Sequence, residues 1–148
     1  MQRLNPDFRD RLLALSAEGV EFLVVGAYAV AVHGIPRATK DLDIWVGTRA
    51  DNAARVHRAL ARYGAPLEGV TPADFASPDL IHQIGVAPQL LDVITSIEGV
   101  TFDEAWPRRL AVDLDGVTVP VLSREDLVGN KRAAGRSRDL VDLEEQGE

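Results

Sequence analysis

Apolar residues follow two different periods along the chain. Phe8, Leu12, Leu13 and Leu15 recur at helical spacing after Asn5-Pro6, a pair suited to a helix N-cap and first turn, and the stripe ends near Gly19. The unbroken run Val20–Val25 is β-branched and aromatic and too short for a helix, so it reads as a buried strand. Gly26 then opens a short helix of small apolar residues that closes at Gly34. Asp41–Val46 (DLDIWV) reads as a second strand, followed by a helix with Ala53, Val56, Leu60 and Tyr63 on one face and Gly64 as its C-cap. A long connection to Pro78 holds Pro66, Gly69 and Pro72, with one helical turn expected where Thr71 can cap and Pro72 can lead. Two further strands, LIHQIGV and QLLDVIT, flank Ala87-Pro88, and a short helix in TFDEAWPRR is expected to stop at Pro107. Asp115-Gly116 marks a hairpin in RLAVDLDGVTVPVL. Ser123 and Asp126 form a capping box with Asp in the usual Glu position, opening a helix to Ala134, and Leu140 and Leu143 anchor a terminal helix. The order of elements predicts one α+β domain over residues 1–148.

Composition narrows the classes. With 46% apolar residues in 148 the chain can bury a core. It has no cysteine, hence no disulfide framework or thiolate metal site, and no apolar run approaches the roughly 20 residues needed to span a bilayer. The first ten residues carry Arg3, Asp7, Arg9 and Asp10, unlike a signal peptide, so a cytoplasmic protein without membrane contact is expected. The net charge of −7 argues against indiscriminate polyanion binding, yet Arg124, Lys131, Arg132, Arg136 and Arg138 face only Glu125 and Asp126 within one segment. The acidic average hides a basic patch.

Asp-Leu-Asp occurs twice, at Asp41–Asp43 and Asp113–Asp115. In the second copy Asp115-Gly116 supplies turn residues, and no ligand is needed to explain it. In the first, Asp41 and Asp43 project to one face of a strand while Leu42 and Ile44 face the other, and like charges side by side need compensation from a cation, a basic side chain or water. Asp92 places another carboxylate within an apolar strand. If that strand lies beside the first, three carboxylates converge and suit Mg²⁺ or Mn²⁺; the plain alternative is that Asp92 pairs with an arginine.

The ordered set FLVVGAYAVAVHGIPRATKDLDIWV, LLDVIT and LVGNKRAAGRSRDLVDLE resembles the nucleotidyltransferase superfamily of DNA polymerase beta type. Within it the chain is most similar to the small prokaryotic members related to abortive-infection toxins. The resemblance implies a mixed central β-sheet with helices packed against it. It implies Asp41, Asp43 and Asp92 as catalytic, metal-binding residues, with Asp92 binding metal or receiving the proton of the attacking hydroxyl. The implied reaction moves a nucleoside monophosphate from a nucleoside triphosphate to an acceptor, using two Mg²⁺ (or Mn²⁺) ions roughly 4 Å apart.

The resemblance also implies that Gly26 and Ala27 bring backbone N–H groups to the triphosphate, although Ala27 stands where the family has Gly or Ser. Arg37, Thr39, Lys131 and Arg136 are implied phosphate contacts, with Arg138 behind them and Asp139 orienting one of the basic groups; the plain alternatives are an ion pair for Arg37 and a solvated face for the basic segment. His33 reads as a packed or turn histidine, and Trp45 as packing near the active face. The acceptor, an RNA end such as tRNA, a protein or a small molecule, is not encoded in any motif. The rival reading is a non-catalytic, nucleotide-sensing or partner-binding half of a toxin–antitoxin pair, and a homodimer or a cognate antitoxin or toxin is the expected protein partner.

Overall fold

All four residues of β1 (Phe22–Val25) are buried, as an uninterrupted apolar run requires of a strand covered on both faces. The computed structural model describes residues 6–34, 41–85, 90–114 and 116–135. The other elements are α1 (Pro6–Ala17), α2 (Gly26–Val32), β2 (Asp41–Val46), α3 (Ala50–Tyr63), β3 (Ile81–Ile84), β4 (Leu90–Ile94), α4 (Phe102–Ala105), β5 (Leu110–Leu114), β6 (Val117–Val121) and α5 (Arg124–Ala134). The six strands form one sheet in the order β3-β4-β2-β1-β6-β5. It is mixed: β1–β2, β3–β4 and β5–β6 are antiparallel, whereas β2–β4 and β1–β6 are parallel. No helix among the described residues is long and apolar enough to cross a membrane.

The sheet separates two apolar clusters. On one face Leu42, Ile44 and Val46 pack with Phe8, Leu12 and Leu15 of α1, with Ala53, Val56 and Leu60 of α3 and with Phe75. On the other, Leu23, Val25 and Trp45 pack with Ala105, Leu122 and Leu127, and Trp45 stands edge-on to Phe102 with ring centroids 5.2 Å apart. Trp45 is thus a packed residue, 1% exposed. His33 also has a structural partner, its Nε2 lying 2.8 Å from the Leu122 carbonyl.

Several boundaries differ from the periodic reading. The first strand begins at Phe22, because the N–H of Val20 bonds back to the Leu15 carbonyl while Gly19, at φ +71°, closes α1. Leu13 is 41% exposed, since it lies about 140° round the helix from Phe8 and so leaves the Phe8–Leu12–Leu15 stripe. The helix after Thr101 does not end at Pro107; a 3-10 turn at Trp106–Arg108 accepts the proline in its first positions, where a missing N–H costs nothing. The capping box at α5 is only half made. Ser123 Oγ accepts from the Asp126 N–H at 3.1 Å, but the Asp126 carboxylate takes the Ser123 hydroxyl and two bonds from Arg108 instead of reaching back to the N-cap backbone. By contrast Thr71 and Asp74 complete a box around the turn Pro72–Ala76. In the hairpin, Asp113 is exposed and its Oδ1 accepts the Gly116 N–H at 2.7 Å, so the second Asp-Leu-Asp copy serves the turn; Asp115 lies outside the described residues.

Asn52, 1% exposed, joins α3 to the sheet. Its Oδ1 accepts the Glu21 N–H at 2.8 Å, and its Nδ2 donates to the carbonyls of Glu21 at 3.0 Å and Gly47 at 2.8 Å. These backbone groups lie just before β1 and just after β2, so one side chain satisfies both strand ends. The Glu21 carbonyl also accepts the Gly47 N–H at 3.2 Å, so removing the amide leaves the Glu21 N–H and the Gly47 carbonyl without it, at about 1–3 kcal/mol each. Asn52→Ala is expected to lower unfolding stability by roughly 3 kcal/mol in urea denaturation, and an unchanged midpoint would show that water replaces the amide.

Candidate functional site

Strand alternation puts Asp41, Asp43 and Trp45 on one face of β2. Because β2 and β4 are parallel neighbours in direct register, Asp43 stands opposite Asp92, and Asp41 stands opposite Leu90. β1 runs antiparallel on the other side and pairs Val25 with Asp43, so the start of α2 meets the same carboxylate. Gly26 has φ +68°, and a Cβ there would overlap Asp43 Oδ2. Two constraints therefore exclude a side chain at this position: the left-handed backbone and the carboxylate itself.

Asp43 is half-buried, and its pKa is pushed up from 3.8 to about 7. Loss of water is the largest cause, followed by the hydrogen bond to Asp92 and by the charges of Asp92 and Asp41. Like charges this close in a desolvated site disfavour ionising together, and Asp43 holds its proton the more tightly for it. On the outer side, β3 pairs Gln83 with Asp92, and Gln83 Nε2 donates to Asp92 Oδ1 at 3.0 Å. Gln83, Asp92, Asp43 and Val25 thus form one row across four strands.

Three members of this row, Val25, Asp43 and Asp92, floor an open cleft of about 620 Å³, with Gln83 outside it. Val25, Gly26, Asp43 and Asp92 line it from the sheet, Ile94 and Ile81 continue an apolar wall, and Asn130 and Ala134 of α5 close the far side. The segment Ser96–Glu98 is fastened to α5: Asn130 Nδ2 donates to the Glu98 carbonyl at 2.9 Å, and Gly99 packs so tightly that a Cβ would meet Ala133 Cβ at 2.6 Å and the Gly129 carbonyl oxygen at 3.0 Å. Asp79, at φ +60°, donates its N–H to Ser96 Oγ at 3.0 Å and adds a further carboxylate to the rim.

Two of the three sequence-predicted carboxylates, Asp43 and Asp92, are brought into contact; Asp41 is one pleat back on the same face. Among the described residues no three His, Cys, Asp or Glu side chains form a ready ligand set. Ala27 is half-exposed in the first turn of α2. Lys131 is 7% exposed and, among the described residues, does not line the cleft, although its helix neighbours Asn130 and Ala134 do. Arg37, Thr39, Arg136, Arg138 and Asp139 lie outside the described residues. The sequence reading missed Gln83, Asp79, Glu98 and Asn130. Only Gln83 left a trace, as a polar residue within the predicted strand LIHQIGV, and its pairing with Asp92 depends on a register that sequence does not carry.

A family model described as nucleotidyl transferase AbiEii toxin, Type IV TA system, matches residues 9–145. Among solved structures, a Thermotoga maritima protein described as a candidate nucleotidyltransferase superimposes with a TM-score of 0.62 at 20% identity, over 97% of this chain and 94% of that one. At that identity the likeness shows the fold alone. No curated protein matches.

The raised pKa of Asp43 has a consequence for stability. Its folded value lies above the unfolded one, so the contribution is fully present below about pH 4 and is lost as the pH rises through about 7. In metal-free buffer, Asp43→Asn is expected to gain on the wild type in melting temperature between pH 4 and pH 8, with the difference levelling off above that. Parallel melting curves for the two proteins over that range would contradict the upward shift of Asp43.

Proposed function

The chain belongs to the AbiEii nucleotidyltransferase toxin family, and on that footing we propose that it transfers a nucleoside monophosphate from a nucleoside triphosphate to an acceptor hydroxyl on an RNA end, a protein or a small molecule, with a cognate antitoxin as its partner. The observation that carries this reading is the Asp43–Asp92 pair wedged against Gly26 at the floor of the cleft. The donor set fits a divalent ion: both groups offer hard oxygens, and two carboxylates directly opposite each other on neighbouring strands present the repulsion that a cation between them relieves. Asp43 and Asp92 would hold Mg²⁺ or Mn²⁺, with Asp41 completing the set from the adjacent pleat. The ion supplies charge neutralisation at the triphosphate and in-line placement of the reacting oxygens.

The chain's own groups account for the remaining steps. Gly26, lacking a side chain, opens the approach to Asp43. The first N–H groups of α2 have no side-chain cap and are available, with Ala27, to phosphate oxygens. Where Asp92 is not a metal ligand, it would receive the acceptor hydroxyl's proton as the hydroxyl oxygen bonds to the α-phosphorus and pyrophosphate departs. Basic groups for the triphosphate would come from Arg37 and Arg136, with Thr39 as a further phosphate contact; Lys131, buried and outside the cleft lining, does not fit that part.

A second reading is favoured by Ala27, which lacks the hydroxyl that a serine would bring to phosphate. In it the protein senses nucleotide, or binds its partner, without catalysis. Purified protein with Mg²⁺ and labelled triphosphates is expected to label a cellular RNA or protein fraction, and Asp43→Ala or Asp92→Ala to reduce that transfer at least about a hundredfold, the scale on which removing one charge-stabilising group slows an enzyme. Undiminished labelling by Asp43→Ala would rule out the mechanism. Triphosphate binding by calorimetry without transfer to any fraction would favour the sensing role.

A further inference from the structure

The row across the sheet extends one strand beyond the two carboxylates, to Gln83. β3 is the outermost strand, and Gln83 is exposed on it, yet its amide is committed to Asp92 Oδ1 at 3.0 Å from the directly opposite position on β4. Asp92 faces Asp43 on its other side, and two adjacent carboxylates repel unless something holds them. We propose that Gln83 is a positioning residue, whose neutral amide pins one oxygen of Asp92 and so presents the carboxylate, with its charge intact, to a divalent ion shared with Asp43. The inference rests on the metal-binding reading given above.

The neutrality of the donor is the point of the argument. A Lys or Arg at position 83 could hold Asp92 equally well, but it would neutralise the carboxylate and compete with a cation for it. A side chain without a donor would leave Asp92 free to swing from Asp43 into the cleft. Glutamine orients without competing, the part that hydrogen-bonded partners behind metal ligands commonly play.

Gln83→Met keeps length and flexibility and removes the donor; Gln83→Lys keeps a donor and adds charge. Both sit at an exposed position on an edge strand, so folding is expected to survive, which thermal melting checks. Titration calorimetry with Mn²⁺ is expected to show binding to wild type and about tenfold weaker binding to Gln83→Met, with Gln83→Lys at least as weak. In labelled transfer the Mg²⁺ concentration for half-maximal rate is expected to rise by a similar factor in Gln83→Met, with the rate at saturating Mg²⁺ largely restored. Wild-type Mn²⁺ affinity in both variants would overturn the positioning role alone. Failure of the wild-type protein to bind Mn²⁺ would overturn the metal-binding reading and this inference with it.

Discussion

Two carboxylates are forced together on neighbouring strands, and the rest of the molecule supplies the force. Asp43 and Asp92 gain nothing from each other when ionised, so their pairing depends on the β2–β4 register, which runs unbroken from Asp41–Leu90 to Trp45–Ile94. On the opposite face of those strands Leu42, Ile44, Leu91 and Val93 are all fully buried, and each such side chain stabilises by about 1.5–3 kcal/mol relative to exposure. A slip of one residue would carry a whole apolar set to the wrong face. The hydrophobic core therefore sets the distance between two charges that would otherwise separate.

The two faces of the sheet divide the labour. One is sealed by α1, α3 and Phe75. The other is covered only in part: α4, the Trp106 turn and α5 pack over Trp45 and Leu23, and the Asp43 end stays open. Trp45 and Asp43 are two residues apart on one strand, yet one is in a dry aromatic cluster and the other lines a cleft. That short step from apolar packing to solvent also explains why desolvation, rather than any neighbouring charge, is the largest cause of the raised Asp43 pKa.

Much of this was legible from periodicity. Strand alternation alone put Asp41 and Asp43 on one face, and the glycine after the second Asp-Leu-Asp copy separated a turn from a site. Asp92 stood out as a charge within an apolar strand. What stayed hidden depends on contacts between distant residues. Gly26 looked like an approach for phosphate, and its strongest constraint is the Asp43 carboxylate lying where a Cβ would be. Asn52 went unread, because nothing local tells that its amide reaches backbone groups of Glu21 and Gly47. Helix α1 misled in a smaller way, since four leucine or phenylalanine positions suggested a stripe that only three can occupy.

The contact of Gly99 with Gly129 and Ala133 sets a floor on the width of the cleft. There Gly99 already rests against the helix, with only the Ala133 methyl and the Gly129 carbonyl facing it. A side chain at Gly99 can only push the walls apart, whereas a Cβ at Gly129 would meet nothing nearer than Val100 Cγ2 at an ordinary 3.8 Å. Evolution of this site toward a bulkier substrate would then be a matter of adding a methyl group far from the chemistry, whereas adaptation to a smaller one would have to come from within the cleft, from residues such as Ile81 or Ile94 growing inward.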